Sequence, residues 1–238
     1  LAGKALRDRL LAELRKTLTV KDEGEIEWAL KCRIYRDKKE GILKICQMSF
    51  SYEVFTRYGI LDAKGCDTPI DPSKELRAPE DVTDEEVEAA RHYPIRELNG
   101  SYGWLAAISR PDIAQAWHAA SQRQHRPSKE LWEYLLRIGR YLKRTAHYGL
   151  VYRRPKSLAD VPLLAIWVDA SFIPNMKLNK GKSIIGWCVK LFGQTTSWAV
   201  QKSRRVLTSS SEAECYGLSE AHRENRWQRN FLKCLRIY

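Results

Sequence analysis

The chain has 238 residues, 44% hydrophobic and 29% charged, which is enough apolar material for one large or two small folded domains and too much for a disordered segment. Residues 1–15 are charged throughout, unlike a signal peptide, and no apolar run reaches the roughly 18 residues a membrane helix needs. The net charge of +12 is concentrated: residues 155–238 hold 13 Lys and Arg against 6 Asp and Glu, and residues 120–154 hold 9 against 2, a distribution that suits a phosphate backbone.

Residues 1–18 predict an amphipathic helix, with Leu6, Leu10, Leu11, Leu14 and Leu18 at spacings of three and four. Residues 29–35 and 42–48 read as two strands of a hairpin, joined by Asp37-Lys-Lys-Glu-Gly41. A short helix over 49–58 ends near Gly59. Residues 69–92 read as a linker, because Pro69, Pro72 and Pro79 interrupt regular structure. Within it, Thr83 and Glu86 have the spacing of a capping box.

Residues 93–121 read as mainly helical. Leu98, Tyr102, Leu105 and Ala106 share one face, and Ile113, Trp117 and Ala120 another. Between them, Asp112 is placed to accept the free N–H groups of a following helix. Arg110 is open to either a phosphate or a carboxylate partner. Residues 127–145 predict a second helix, with Leu131, Leu135, Ile138 and Leu142 as its apolar stripe. Arg137, Arg140 and Arg144 form their own stripe, which is either a track for a phosphate backbone or an ordinary wet face. Residues 148–152 read as a strand or an extended exit.

The last third carries the chemistry. An apolar strand over 163–169 ends in Asp169, and further strands are expected over 184–191 and 195–200, turning at Phe192-Gly193. Lys177, Lys180 and Lys182 lie in the loop between the first two strands, a position suited to substrate phosphates. A long helix is expected after Ser209-Ser-Ser211, with Ser209/Glu212 and Ser211/Glu214 both at capping-box spacing. Asp169 is expected to be buried, and a buried carboxylate needs a metal or a cation to offset its desolvation. Lys202 is the structural alternative to a metal. The six cysteines show no CxxC pair and the five histidines no zinc spacing, so free thiols in a reducing compartment are expected.

Val168-Asp-Ala-Ser171, Ile185-Gly-Trp187, Thr196-Ser-Trp198 and Ser209-Ser-Ser-Glu-Ala-Glu214, in this order, resemble the ribonuclease H region of copia-type retrotransposon Pol polyproteins. Asn99-Gly-Ser-Tyr-Gly-Trp and Ser109-Arg-Pro-Asp-Ile113 resemble the segment joining polymerase to nuclease in the same family. The resemblance implies an α/β (α+β) fold: a partial ribonuclease H-like sheet of three antiparallel strands plus a long helix, preceded by a β-hairpin and a helical thumb/connection region. The implied domains are 1–72, the C-terminal part of a reverse transcriptase-like domain; 73–154, a helical connection; and 155–238, a C-terminally truncated ribonuclease H-like domain.

The family implies that Asp169 and Glu214 bind the metal, Mg2+ or Mn2+, and carry the catalysis, with Glu212 left to cap the helix. The parent activities are RNA-directed DNA synthesis and metal-dependent hydrolysis of RNA in RNA–DNA hybrids. This chain has no Asp-Asp pair for polymerisation and no Asp after 169 for the family's last nuclease acid. Its two-metal site is therefore expected to be incomplete, and the strand bearing Asp169 to be left with an open edge. The expected partners are an RNA–DNA hybrid or other nucleic acid and the remainder of the Pol polyprotein, with no membrane. The expected location is intracellular, in a cytoplasmic virus-like particle or the nucleus, without secretion. The alternatives are a non-catalytic basic nucleic-acid-binding module and a decayed retrotransposon relic.

Overall fold

The computed structural model describes residues 4–22, 24–157, 161–173 and 179–234. Its elements form a mixed α+β fold with two antiparallel sheets and a set of packed helices.

The first helix, α1 (Lys4–Leu14), is followed by β1 (Trp28–Ala29), β2 (Cys32–Asp37) and β3 (Ile42–Cys46). Leu10 and Leu18 stay exposed, so the N-terminal apolar stripe is not buried among the described residues. In the turn between β2 and β3, Asp37 Oδ1 accepts the N–H groups of Lys39 and Glu40 at 2.9 and 3.0 Å, and Gly41 takes a φ of +65°. The expected hairpin is part of a four-stranded sheet. β1 adds through a turn at Leu30 and Lys31, both at positive φ. β4 (Leu150–Arg153) closes the other side, pairing Leu43 with Tyr152.

The helical layer comprises α2 (Met48–Arg57), α3 (Asp84–Ala90), α4 (Ile95–Ile108), α5 (Ala114–Ser121) and α6 (Lys129–Arg144). Its core is where the apolar spacing places it: Leu98, Tyr102, Leu105, Ile113, Leu131, Leu135, Ile138 and Leu142 are all buried, with Phe55 and Ile60 against them. Ser128 caps α6 by accepting the Leu131 N–H, and Thr83 and Glu86 form the expected capping box on α3.

Two expectations are corrected here. The 69–92 linker is not a free tether: Leu76, Ala78, Val82 and Ala90 are buried. Arg123, itself buried, fastens it by donating to the main-chain carbonyls of Leu76 and Arg77, both at 2.9 Å. Prolines prevent regular structure but do not prevent packing. Asp112, for its part, does not accept helix-start N–H groups. It accepts the Arg110 Nε and Nη2 donors at 2.9 and 2.7 Å and the Tyr141 hydroxyl at 2.7 Å.

Arg110 is only 2% exposed. It also donates to the Thr145 carbonyl and hydroxyl, and lies over the Tyr141 and Tyr148 rings. Its partner is thus a carboxylate inside the fold, which ties the α4–α5 junction to the end of α6.

The second sheet is a meander of β5 (Leu164–Ser171), β6 (Ile184–Leu191) and β7 (Gln194–Lys202). β6 spans the residues read from the sequence, and the β6–β7 turn is the expected pair, Phe192 at φ +46° and Gly193 at +74°. α7 (Ser210–Cys234) lies across one face through Ala213, Gly217, Ala221 and Leu232. The other face meets the helical layer, where Trp198 Nε1 donates to the Ala106 carbonyl at 2.8 Å.

Asp112→Ala leaves the Arg110 guanidinium buried without its counter-charge. We expect it to cost about 3–5 kcal/mol in urea unfolding, while Tyr141→Phe, which removes one hydrogen bond, costs about 1 kcal/mol.

Candidate functional site

Glu214 sits in the second turn of α7, and its Oε1 accepts the backbone N–H of Ala170 at 3.2 Å. That residue follows Asp169 directly. The Phe192 N–H donates to the Leu163 carbonyl, so the odd-numbered residues of β5 turn their backbone groups toward β6. By alternation, the Ala170 N–H points to the open edge of the sheet. Glu214 therefore reaches around β5 and caps a donor that no strand satisfies among the described residues.

The close approach of α7 makes this possible. A Cβ built on Gly217 would lie 2.7 Å from Val168 Cγ1 and 3.1 Å from Ile185 Cγ2. Glu212 does something else. Its carboxylate accepts the Thr208 N–H and hydroxyl at 2.7 and 2.8 Å, its N–H donates to Ser209 Oγ, and Arg205 pairs with it at 3.0 Å. These bonds, led by the one from the Thr208 backbone, hold its pKa below the usual glutamate value. The capping role read for Glu212 is the one observed. The box between Ser211 and Glu214 is absent from the described hydrogen bonds, because Glu214 is directed to β5.

Asp169 is exposed, not buried as expected. The reason is its position: β5 is an edge strand among the described residues, with the open edge expected of it. Val168 faces α7, so alternation turns Asp169 and Trp167 to the opposite face. There they border a groove of about 500 Å3, lined also by Pro111, Ala114, Cys188 and Trp198. The two acids thus meet the same stretch of β5 from different sides, Glu214 at its edge and Asp169 from the groove. Both offer carboxylate oxygens, the donor type Mg2+ takes, and one or two protein carboxylates suffice where water and phosphate complete the shell. Among the described residues, no group of three or more His, Cys, Asp or Glu is placed to hold a metal ion.

The three arginines of α6 turn to the chain that wraps it. Arg137 pairs with Asp71 at 3.2 Å and donates to Thr68, Arg140 donates to the Lys64 carbonyl at 2.7 Å, and Arg144 pairs with Asp67 at 2.9 Å. Lys177 lies outside the described residues. Lys180, at a φ of +51°, and Lys182 lie in the turn before β6.

The turn belongs to a basic group that the sequence reading did not assemble. Lys202 stands opposite Ile184 on β7, and its pKa is lowered first by burial and then by Lys182, Lys180 and Arg123. Burial, with Lys202 and Arg123 nearby, pushes His118 of α5 down to about 4. Lys202, read from the sequence as a partner for Asp169, could be placed beside Lys180 and Lys182 only once β7 was known to run to its end, and Arg123 only once the 69–92 segment was known to fold over it.

No family model matches the chain, and no solved structure does. Curated proteins do. Over 236 residues, 99% of this chain, it is 28% identical to the tobacco "Retrovirus-related Pol polyprotein from transposon TNT 1-94", spanning 17% of that protein's length. Over 231 residues it is 26% identical to the Arabidopsis thaliana "Uncharacterized mitochondrial protein AtMg00810", covering 88% of it. Over 137 residues, 58% of this chain, it is 34% identical to the "Secreted RxLR effector protein 161" of Plasmopara viticola, covering 92% of that protein.

Two outcomes test the geometry. Gly217→Ala pushes α7 off β5: we expect a loss of about 1–3 kcal/mol, as overpacking costs, and faster hydrogen exchange at the Ala170 amide. His118 is neutral when folded but takes a proton below about pH 6.5 when unfolded. The unfolded state therefore binds more protons between about 6.5 and 4, and stability falls as the pH drops through that window. The loss is on the order of 3 kcal/mol; His118→Gln should lack it, so that the wild-type urea midpoint falls relative to the variant's between pH 7 and pH 4.5.

The identity and coverage shared with the Plasmopara viticola protein place this chain in one family with it, and the matches along nearly its whole length relate it to the Pol polyproteins of copia-type retrotransposons.

Proposed function

We propose that the chain is a segment of retrotransposon Pol: the tail of a reverse transcriptase, a helical connection and the first part of a ribonuclease H domain. Its parent would hydrolyse the RNA strand of RNA–DNA hybrids. The observation that carries this reading is the Glu214 carboxylate on the Ala170 N–H, one residue from Asp169. A helix acid is thereby brought to the strand residue next to Asp169, at a sequence separation of 44.

In this reading Asp169 and Glu214 hold Mg2+ or Mn2+. When bound, the metal lowers the pKa of water and neutralises phosphate charge. The chain's own residues position and support. The Ala170 N–H fixes one Glu214 oxygen and leaves the other to a ligand. Exposure of Asp169 leaves its carboxylate accessible from the groove. Trp167, 51% exposed with the Lys190 ammonium 4.7 Å from its ring centre, gives that face an aromatic and cationic wall, a combination that suits a single strand of nucleic acid. Lys180 and Lys182, with Lys177 in the same loop, would meet backbone phosphates, and Arg137, Arg140 and Arg144 would do so with donors not taken by residues 64–71.

A second reading, a basic nucleic-acid-binding module without catalysis, is favoured by the charge excess in residues 120–238. The two readings part on metal. In the parent polyprotein, Asp169→Asn and Glu214→Gln should each abolish cleavage of RNA in a hybrid, and in this chain each should weaken Mn2+ binding measured by water-proton relaxation. Cleavage retained by both variants would overturn the assignment. Hybrid binding that is steeply salt-dependent and indifferent to Mg2+ and to both substitutions would select the second reading.

A further inference from the structure

A second cavity, separate from the two acids, lies where three distant parts of the chain meet. It has a volume of about 210 Å3. The 70–76 segment contributes Ile70, Lys74 and Leu76, α5 and its exit contribute His118, Gln122 and Arg123, and the turn before β6 contributes Asn179 and Ile184. This is smaller than the roughly 300–1,000 Å3 of drug-sized ligand sites and suits a single planar heterocycle.

Two features of its wall are unsatisfied. Asn179 is 2% exposed, and its Oδ1 has no hydrogen-bond partner among the described residues. Gln122 Oε1 is likewise buried without a partner, while its Nε2 is taken up with His118 Nδ1 at 3.1 Å. A buried amide oxygen left without a donor costs about 1–3 kcal/mol, so two in one cavity ask for a ligand or for water. Arg123, by contrast, is 6% exposed and satisfied, donating to the main-chain carbonyls of Leu76, Arg77 and Ala119. Its charge faces the cavity while its donors are occupied.

The mouth adds charge. Lys202 is the cross-strand neighbour of Ile184 and so shares its face, and Lys180 and Lys182 lie on the turn that carries Asn179. Lys202 feels these charges: its pKa is lowered first by burial and then by Lys182, Lys180 and Arg123. Anionic charge brought to the mouth relieves that repulsion. Ile70, Leu76, Ala119 and Ile184 give apolar walls, Asn179 and Gln122 give acceptors, and Lys74 and Arg123 outnumber the one acid of the lining, Glu75.

We propose that this cavity binds a single nucleotide, the N–H groups of its base donating to Asn179 Oδ1 and Gln122 Oε1 and its phosphate lying among Lys180, Lys182 and Lys202. The nucleotide is either free or one unit of a single strand turned out of its stack. The site does not depend on Asp169 or Glu214, so it stands or falls separately from the nuclease reading.

The test is calorimetry on the whole chain with AMP, CMP, GMP, UMP, inorganic phosphate and a short single-stranded RNA. At least one mononucleotide should bind ten times or more tightly than phosphate. Asn179→Ala and Gln122→Ala should each weaken it at least fivefold with the unfolding midpoint held, and Lys202→Met should weaken nucleotide and phosphate together. Competition between mononucleotide and RNA identifies a strand as the source, and binding of the mononucleotide without competition identifies a free nucleotide. Equal affinity for phosphate and every nucleotide, or binding untouched by both amide variants, overturns the proposal and leaves the cavity to water.

Discussion

The distance between one helix and one strand governs the acidic site. Gly217 lets α7 lie against Val168 and Ile185 with no room for a β-carbon, and that contact sets how far Glu214 can reach. Four residues back toward the helix start, one turn nearer its N-terminus, Ala213 is also fully buried. Small residues at 213, 217 and 221 thus form the seam along which the helix beds into the sheet. Glu214 sits beside that seam, close enough to pass the strand's edge. A helix held a side chain further out would leave the Ala170 N–H to water and the carboxylate without direction.

The same edge explains why Asp169 is wet. A strand with neighbours on both sides and helices on both faces buries its side chains. β5 has β6 on one side, α7 on one face, and on the other face a groove whose far wall is the start of α5. An open edge also offers backbone groups to any other strand. Here one of those groups is occupied by a carboxylate, which makes Glu214 both a candidate ligand and a local block to pairing.

Much of this was legible beforehand, for reasons that differ by element. The stripe of α6 and the limits of β6 follow from periodicity and a turn pair, which are local signals. The order Asp169, Trp187, Glu214 carried the site through family resemblance, and Glu214 over Glu212 was chosen that way; Glu212 does prove to be spent on Thr208 and Arg205. Three things were not legible. β4 joins the first sheet from over a hundred residues away, and no local pattern announces a partner at that range. The burial expected of Asp169 came from its apolar run, which does not say that an open edge leaves the side chain in solvent. The arginines of α6 occupy the face that the stripe predicts, but whether such a face meets solvent, phosphate or protein depends on where residues 64–71 run.

That last point bears on how a net charge of +12 should be read. Positive residues differ in what an arriving anion gains from them. Arg137 and Arg144 are already paired with Asp71 and Asp67, so a phosphate there competes with a carboxylate at close range. Around Lys202, burial and the neighbouring Lys182, Lys180 and Arg123 make the charge harder to hold, so an arriving anion relieves part of that cost. The attraction of a basic surface is therefore set less by how many cations it carries than by how poorly they are neutralised in the free fold. The arginine row on α6, although the more conspicuous feature of the sequence, is the part of the basic surface that carboxylates of the same chain already meet.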